Sequence, residues 1–411
     1  MKIALSTSVI QRGKTGIAQY VFALVQAMLQ QAENHEIYLL VLEEDLPLFA
    51  FAKGRATLVP VKESWRPALK NIFWHQFVLP RWLKEHGIDV LHVPSYRRMV
   101  WNAPCATVST IHDLAPFHVK GKYDLARMIY GRVIVKHLAR KQDAVVAISQ
   151  NTARDIERFF SIPQKRQNII LNGLDHLRFH PELEMPQQEP TDPSAAPFFL
   201  YISRLEHPAK NHVRLIEAFN RFKAATDSPW QLVLGGSDWH GAEHIHAAAA
   251  ASPYSKDIRF LGFVPDSDLP GLYRRAGALV YPSLFEGFGM PPVEAMACGC
   301  PVISSAAGSL AEVVGDAALI IDPESIDSIQ NALAMMASDP NTRQRLIHAG
   351  FANSYRFDWR DNARKVLKVY RKCVPSLGGV EARVAESETG DEIPSHYARP
   401  TSTLATRHAA I

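Results

Sequence analysis

Tyr281-Pro-Ser-Leu-Phe-Glu286-Gly287-Phe288-Gly289-Met290-Pro-Pro-Val-Glu294-Ala-Met-Ala-Cys298-Gly-Cys300-Pro-Val302 reads as a strand that turns into a helix and then into a second strand. The apolar run ending at Tyr281 is the first strand. Gly287 and Gly289 permit a tight turn and leave backbone amides open to a ligand. Pro291 and Pro292 suit a helix start, where a missing N–H costs nothing. Glu294 then falls in the first turns of that helix, and Glu286 stays in the loop before it. Amides at a helix N-terminus favour anionic groups. A nucleotide-diphosphate sugar suits this geometry, with one carboxylate accepting from ribose hydroxyls and the other from hexose hydroxyls. Taken singly, Glu294 complements the helix dipole and Glu286 is a solvated loop charge.

Outward from this segment the same alternation repeats. Strands are predicted over 198–203, 231–234, 258–261, 278–281 and 302–304, with helices from Asn211 and Pro292. Toward the N-terminus, strands are predicted over 2–9, 36–42, 89–93, 106–111, 144–148 and 168–171. After Gly13 to Gly16, apolar residues at Ile17, Tyr20, Val21, Leu24, Val25, Met28 and Leu29 mark one buried helix face. Further helices are expected near 66–86, 122–141 and 150–160. Between the two halves, 181–197 carries five prolines and almost no bulky apolar residue, the composition of an exposed linker. The expected class is α/β, with two Rossmann-like doubly wound domains facing an inter-domain cleft. Residues 1–180 form the first domain and 198–355 the second. Residues 356–375 form a last helix that can cross back to the first domain, and 376–411 read as a disordered tail.

The 411 residues are 47% hydrophobic and 21% charged, which excludes wholesale disorder and leaves ample material for two cores. A formal charge of +4 gives little support to a nucleic-acid surface. The charge is uneven: residues 1–180 hold 24 Lys and Arg against 14 Asp and Glu, and the rest hold 21 against 27. The basic half is expected to meet something anionic. Four scattered cysteines fit a reducing compartment better than a disulfide framework. The N-terminal MKIALSTSVI lacks a cleavage site and no apolar run reaches membrane-span length, so a cytoplasmic location is expected.

The Tyr281 to Val302 run resembles the E-x7-E signature of retaining glycosyltransferase family 4, whose members have the two-domain GT-B fold. Other matches follow in the family's order. They are Gly13-Lys-Thr-Gly16, Ile111-His112-Asp113-Leu-Ala-Pro, Leu171-Asn-Gly-Leu-Asp175, Ser203-Arg204-Leu-Glu-His-Pro-Ala-Lys210-Asn211, and Gly262-Phe263-Val264. Asn211 stands where many members have glycine. The resemblance implies that Glu294 binds the donor ribose and Glu286 the hexose. It implies that the amides of Phe288, Gly289 and Met290, with Gly287, bind the hexose and phosphate. Arg204 and Lys210 would neutralise the departing diphosphate, a role fixed cations perform well. His112 would hydrogen-bond the hexose, Gly16 would approach the donor phosphate or the acceptor, and Gly262, Phe263 and Val264 would belong to the donor site. No metal and no cofactor is expected.

The phrase SRLEHPAKNH is similar to bacterial mannosyltransferases of polysaccharide assembly, which implies GDP-mannose as donor and a saccharide or lipid-linked acceptor. The alternatives are a nucleotide-sugar 2-epimerase of the same fold and a non-catalytic sugar-nucleotide-binding protein. A Rossmann dehydrogenase lacks its G-x-G-x-x-G after the first strand.

Three short motifs have competing readings. Asp266-Ser-Asp268 mimics a DxD metal site but precedes Leu269, Leu272 and Tyr273, which favours a helix N-cap. His240-Gly-Ala-Glu243-His244 fits a zinc-protease pattern without a third ligand. Cys298-Gly-Cys300 reads as packing and a tight turn. The stretch Lys62 to Lys84 interleaves Trp65, Phe73, Trp74, Phe77 and Trp82 with basic residues. It is either a basic amphipathic helix lying on anionic lipid or an ordinary helix packing its aromatics on the core.

Overall fold

The computed structural model of the chain describes residues 1–13, 15–31, 34–114, 117, 130–181 and 196–374. Lys14, residues 122–129 of an expected helix, most of the expected linker (182–195) and the expected tail (376–411) lie outside the described residues.

The first sheet holds β1 (Lys2–Ser6), β2 (Glu36–Leu42), β3 (Thr57–Val61), β4 (Val90–Val93), β5 (Ala106–Ile111), β6 (Ala144–Ala147) and β7 (Gln167–Ile169). The second holds β8 (Phe198–Ile202), β9 (Gln231–Gly235), β10 (Ile258–Gly262), β11 (Ala278–Tyr281), β12 (Val302–Ser305) and β13 (Ala318–Ile321). Their orders are β3-β2-β1-β4-β5-β6-β7 and β10-β9-β8-β11-β12-β13. Every pairing is parallel, as in Ala4 opposite Tyr38 and Val280 opposite Ile303. Helices cover both faces, so central strands such as β4, β6, β11 and β12 are buried throughout; β6 and β11 read as unbroken apolar runs, while β4 also buries His92 and β12 Ser304 and Ser305. The strand order in each sheet reverses beside its first strand, and ligands of such sheets bind at the carboxyl ends of strands flanking that point.

Two strands escaped the sequence reading, and both are sheet edges. β3, Thr-Leu-Val-Pro-Val, contains Pro60, which cannot donate to a ladder and is tolerated because one side of an edge strand has no partner. β13 has only four residues, wedged between a 3-10 turn and Asp322-Pro323. β1 stops at Ser6 instead of residue 9, because the chain turns there and the Ile10 amide bonds the Thr7 carbonyl. The last helix, Trp359–Cys373, packs along the first one, Gly16–Gln31. Tyr370 places its hydroxyl 2.6 Å from His92 Nδ1, and Trp359 meets Tyr20 edge-on at 5.7 Å. Gly173 makes the crossing possible, since a Cβ there would lie 2.3 Å from the Trp359 nitrogen.

Candidate active site

β11 delivers the chain to the switch point of the second sheet, and the loop after it carries Glu286. The Lys210 ammonium bonds the Glu286 carboxylate at 2.6 Å, with the two side chains only 14% and 13% exposed. Burial alone would raise the Glu286 carboxyl. The adjacent ammonium, with hydroxyls from Ser283 and Tyr281, outweighs it and holds the group below the ordinary carboxylate range. Lys210 therefore enters the site already paired with a carboxylate.

Helix Met290–Ala297 begins at Gly289, whose φ of +94° is a left-handed conformation that glycine adopts freely. A Cβ there would also strike Leu310 at 2.4 Å. Pro291 and Pro292 remove two of the helix's four unpaired donors. Among the described residues, no backbone carbonyl accepts from the amides of Phe288, Gly289 or Met290. One turn on, Glu294 accepts from the Tyr273 hydroxyl at 2.8 Å. Burial pushes its carboxyl up to about 7, and the Tyr273 hydrogen bond and the Arg178 charge offset this only in part.

The loop after β8 runs through Arg204 to Lys210 and opens helix His212–Thr226. Arg204 bonds Glu206 at 3.2 Å and lies over the Trp239 indole at 4.8 Å, half exposed. Asn211 adopts φ +64°, the left-handed region where glycine is common and asparagine is tolerated. Its side-chain amide donates to the carbonyls of Pro282 and Pro323 at 3.0 and 2.7 Å. The substitution of asparagine for glycine thus ties the Lys210 loop to the exit of β11 and keeps the Lys210–Glu286 pair in register.

From the first domain, His112 follows β5. Its Nε2 lies 3.2 Å from the Pro94 carbonyl. Burial holds its pKa at about 4, so the ring is neutral at pH 7. A carbonyl only accepts, so Nε2 carries the proton and Nδ1 presents a lone pair. Tyr20 fixes the ring edge-to-face at 4.6 Å. Gly16 opens the first helix into free space, with no atom within 4 Å of a Cβ built there. The two domains meet where a Cβ on Gly287 would lie 2.5 Å from the His112 carbonyl oxygen.

The structure thus brings His112, Gly287, Glu286 and Lys210 together. Arg204 bonds Glu206 instead of the loop glutamates. Gly262, with φ +64° and open space at its Cβ, ends the edge strand β10, and Phe263, 72% exposed, follows it. Val264 packs toward Gly235.

Several contributors carry no sequence signal: Ser309, which bonds the Glu286 and Phe288 carbonyls, Tyr273 on Glu294, and Trp239 under Arg204. Gly308 was legible as a glycine only; its φ is +65°, and a Cβ there would lie 2.3 Å from the Glu286 carbonyl oxygen, so the close approach of that turn requires glycine.

The Asp266–Asp268 reading needs correcting. Asp268 occupies the N-cap position of helix Leu269–Arg275, but its side chain makes no capping bond and instead accepts from Ser267. Its backbone is already helical there, and a side-chain cap needs the extended conformation. Asp266 faces Arg178 at 3.8 Å.

Two family models match the chain, Glycosyltransferase Family 4 over residues 14–178 and Glycosyl transferases group 1 over residues 186–352. The chain belongs to the family 4 glycosyltransferases. Among its relatives is the O-antigen chain mannosyltransferase B of Escherichia coli, 26% identical over 400 residues covering 90% of this glycosyltransferase and 100% of that protein. The serotype-specific mannosyltransferase WbdA of Escherichia coli is 29% identical over 298 residues, 71% of this chain but 36% of WbdA. Among solved structures, a glycosyltransferase from Rickettsia africae superposes with a TM-score of 0.71 at 16% identity, covering 91% of this chain and 98% of that one. Anabaena HepE in complex with UDP and glucose superposes at 0.68 with 18% identity, covering 90% and 98%. These likenesses establish the GT-B architecture of the glycosyltransferase.

Proposed function

We propose that the protein is a retaining, metal-independent mannosyltransferase that moves mannose from GDP-mannose to a saccharide or lipid-linked acceptor in cell-surface polysaccharide synthesis. The observation that carries this reading is the buried Lys210–Glu286 pair beside a loop with free amides. The mannosyltransferase relatives support the sugar. In the transfer, the bond from the sugar C1 to the diphosphate oxygen breaks and a bond from C1 to the acceptor oxygen forms on the same face. The acceptor's proton moves to the departing diphosphate. Negative charge grows on the leaving group, and Arg204, Lys210 and the amides of 288–290 stabilise it. Glu286 accepts from the hexose hydroxyls and the Nδ1 lone pair of His112 from another. Glu294 accepts from the ribose, and Gly16 leaves room for the donor phosphate or acceptor. Gly262, Phe263 and Val264 border the donor.

The test is a thermal-shift screen against GDP-, UDP- and ADP-sugars followed by a transfer assay. A donor at 100 times its Kd stabilises by about 2.7 kcal/mol. Stabilisation by UDP-glucose but not GDP-mannose would reject the donor, and turnover without an acceptor would favour a 2-epimerase.

The aromatic helix supports a lipid-facing location for the first domain. Its segment 68–85 buries Trp74, Leu79 and Leu83 yet leaves Leu69, Phe73 and Phe77 exposed at 83%, 51% and 67%. The four-residue spacing sets these three on one stripe, flanked by Lys70, Arg81 and Lys84. The core-packing reading holds for Trp74, and the exposed Phe73 and Phe77 support the lipid reading. We place this stripe on the anionic inner face of the cell membrane. No helix among the described residues is long and apolar enough to cross a membrane. Co-sedimentation with anionic vesicles that survives Phe73→Ser and Phe77→Ser would reject this placement.

A further inference from the structure

The loop that would cradle the donor has its carbonyls held from behind, and the holders come from both domains. Ser309 bonds the Glu286 carbonyl through its amide and hydroxyl, each at 3.1 Å, and its hydroxyl also lies 3.1 Å from the Phe288 carbonyl. The carbonyl between them, Gly287, faces the Ser149 hydroxyl of the first domain at 3.3 Å. In a trans peptide the C=O and the following N–H point in opposite directions. Fixing the carbonyls of 286, 287 and 288 therefore fixes a row of amides, those of 287, 288 and 289, each pointing away from its carbonyl.

Ser149 caps the helix over 150–160, its hydroxyl accepting from the Thr152 amide, and Thr152 approaches the His112 carbonyl at 3.4 Å. This helix start is tied to the second domain by Glu312. The Glu312 carboxylate accepts from the Gln150 amide at 2.8 and 2.9 Å and from the Asn151 amide at 3.2 Å. These first-turn amides have no partner inside their own helix, and a carboxylate there gains both charge-assisted bonds and the helix dipole. Glu312 sits three residues beyond Ser309, on the short helix Leu310–Val314 that Ser309 starts. One rigid unit thus holds the cradle on one side and clasps the first domain on the other.

We propose that Glu312 is a positioning residue: by clasping the 150–160 helix it closes the cleft and completes the support behind Gly287, so that domain closure and alignment of the amide row are one event. The inference rests on the donor reading above. It places in Glu312 a role that touches neither donor nor acceptor.

The experiment compares wild type, Glu312→Gln and Glu312→Ala. It measures three quantities: the inter-domain distance from a fluorophore pair with one label on each domain, GDP affinity by calorimetry, and kcat for transfer from GDP-mannose. Glu312→Ala should lengthen or broaden the distance and lower kcat about tenfold, with a smaller loss of GDP affinity, since the aligned amides act most strongly on the charge that grows in the transition state. Glu312→Gln keeps an acceptor but loses the charge and should fall between. Adding Ser149→Ala and Thr152→Val to Glu312→Ala should cause little further loss, because they act through the same contact. An unchanged distance with kcat within twofold of wild type would overturn the clasp, as would multiplicative losses in the combined variant. If wild type turns over no GDP-mannose, the donor reading fails, and the fluorescence distance still decides the clasp.

Discussion

The loop half and the helix half of the segment after β11 hold their glutamates in opposite states. Both carboxylates are buried, and both lie near a tyrosine. Glu286 bonds the Lys210 ammonium and is held ionised, whereas burial pushes the Glu294 carboxyl up to about 7, with the Tyr273 hydroxyl and the Arg178 charge offsetting it only in part. Desolvation is shared, so the neighbour decides the charge. The loop half is electrostatically complete before any ligand arrives. The helix half is under-satisfied, and hydroxyl donors from a ribose would lower the cost of its charge.

The largest effect is expected from breaking the completed half. Lys210→Ala leaves Glu286 buried and unpaired, which typically costs about 3–5 kcal/mol. Loss of its donor at the leaving group should lower kcat by ~10² or more. Because the Glu286 carboxyl is lowered in the fold, its contribution is present above the unfolded pKa and is lost as pH falls through the folded one. The stability gap between wild type and Lys210→Ala should therefore narrow on acidification, as melting curves at pH 7 and pH 4 would show. A gap that widens toward low pH would contradict the pairing.

Arg204→Ala sharpens the contrast between the two cations. Its guanidinium is half exposed and stacked on Trp239, although its partner Glu206 is only 7% exposed, so the structural cost should be smaller than that of Lys210→Ala. The rate should still fall by ~10² if the side chain meets the diphosphate. Equal melting temperatures with a large kcat loss would separate it from Lys210. A variant with unchanged kinetics would remove Arg204 from the site.

Glu294→Gln tests the under-satisfied half and carries the opposite pH sign. A carboxyl raised in the fold stabilises below its unfolded pKa, and that contribution disappears as pH rises through the folded pKa near 7. Replacing it with a neutral amide should stabilise the ligand-free protein at pH 8.5 by up to about 3 kcal/mol, seen as a higher melting temperature, with the advantage vanishing toward pH 4.5. Nucleotide affinity should fall about tenfold at pH 8 through the lost charge-assisted bond. Wild-type affinity should weaken as pH drops below 7, because the carboxylate must shed its proton to accept two hydroxyls, and the Gln variant should show no such trend. Calorimetry from pH 5.5 to 8.5 checks both.

Much of this comparison was legible in the sequence because it rests on local rules. The glycines, the Pro-Pro helix start and the spacing of Glu286 and Glu294 are all written within one turn. What could not be read depends on partners brought from afar. Lys210 meets Glu286 across 76 positions and Glu312 meets Gln150 across 162. No periodicity encodes such pairs, and Ser309 looks like an ordinary helix-flanking residue and Tyr273 like an ordinary helix residue until the sheet places them. The missed strands had the same cause, since an edge strand needs a neighbour on one side only and tolerates the proline that hid β3.

A third carboxylate supplies the control, and the smallest expected effect. Asp268 lies in the D-x-D arrangement that a metal-dependent transferase would use, and a sequence reading gives it a helix cap as well. The fold gives it no capping contact: it is exposed, its backbone is helical, and among the described residues its side chain accepts only from the neighbouring Ser267. A side chain without a capping bond cannot forfeit the ~1 kcal/mol that a cap contributes. Asp268→Asn should therefore change stability by less than about 0.5 kcal/mol, the usual range for a surface substitution. If Arg204 and Lys210 carry the leaving-group charge, this variant and the wild type should show the same initial rate with and without EDTA. The informative result is the joint one. A rate abolished by EDTA, restored by Mn²⁺ and lost in Asp268→Asn would transfer the diphosphate from the two cations to a metal. It would leave the Lys210–Glu286 pair as an element of stability alone.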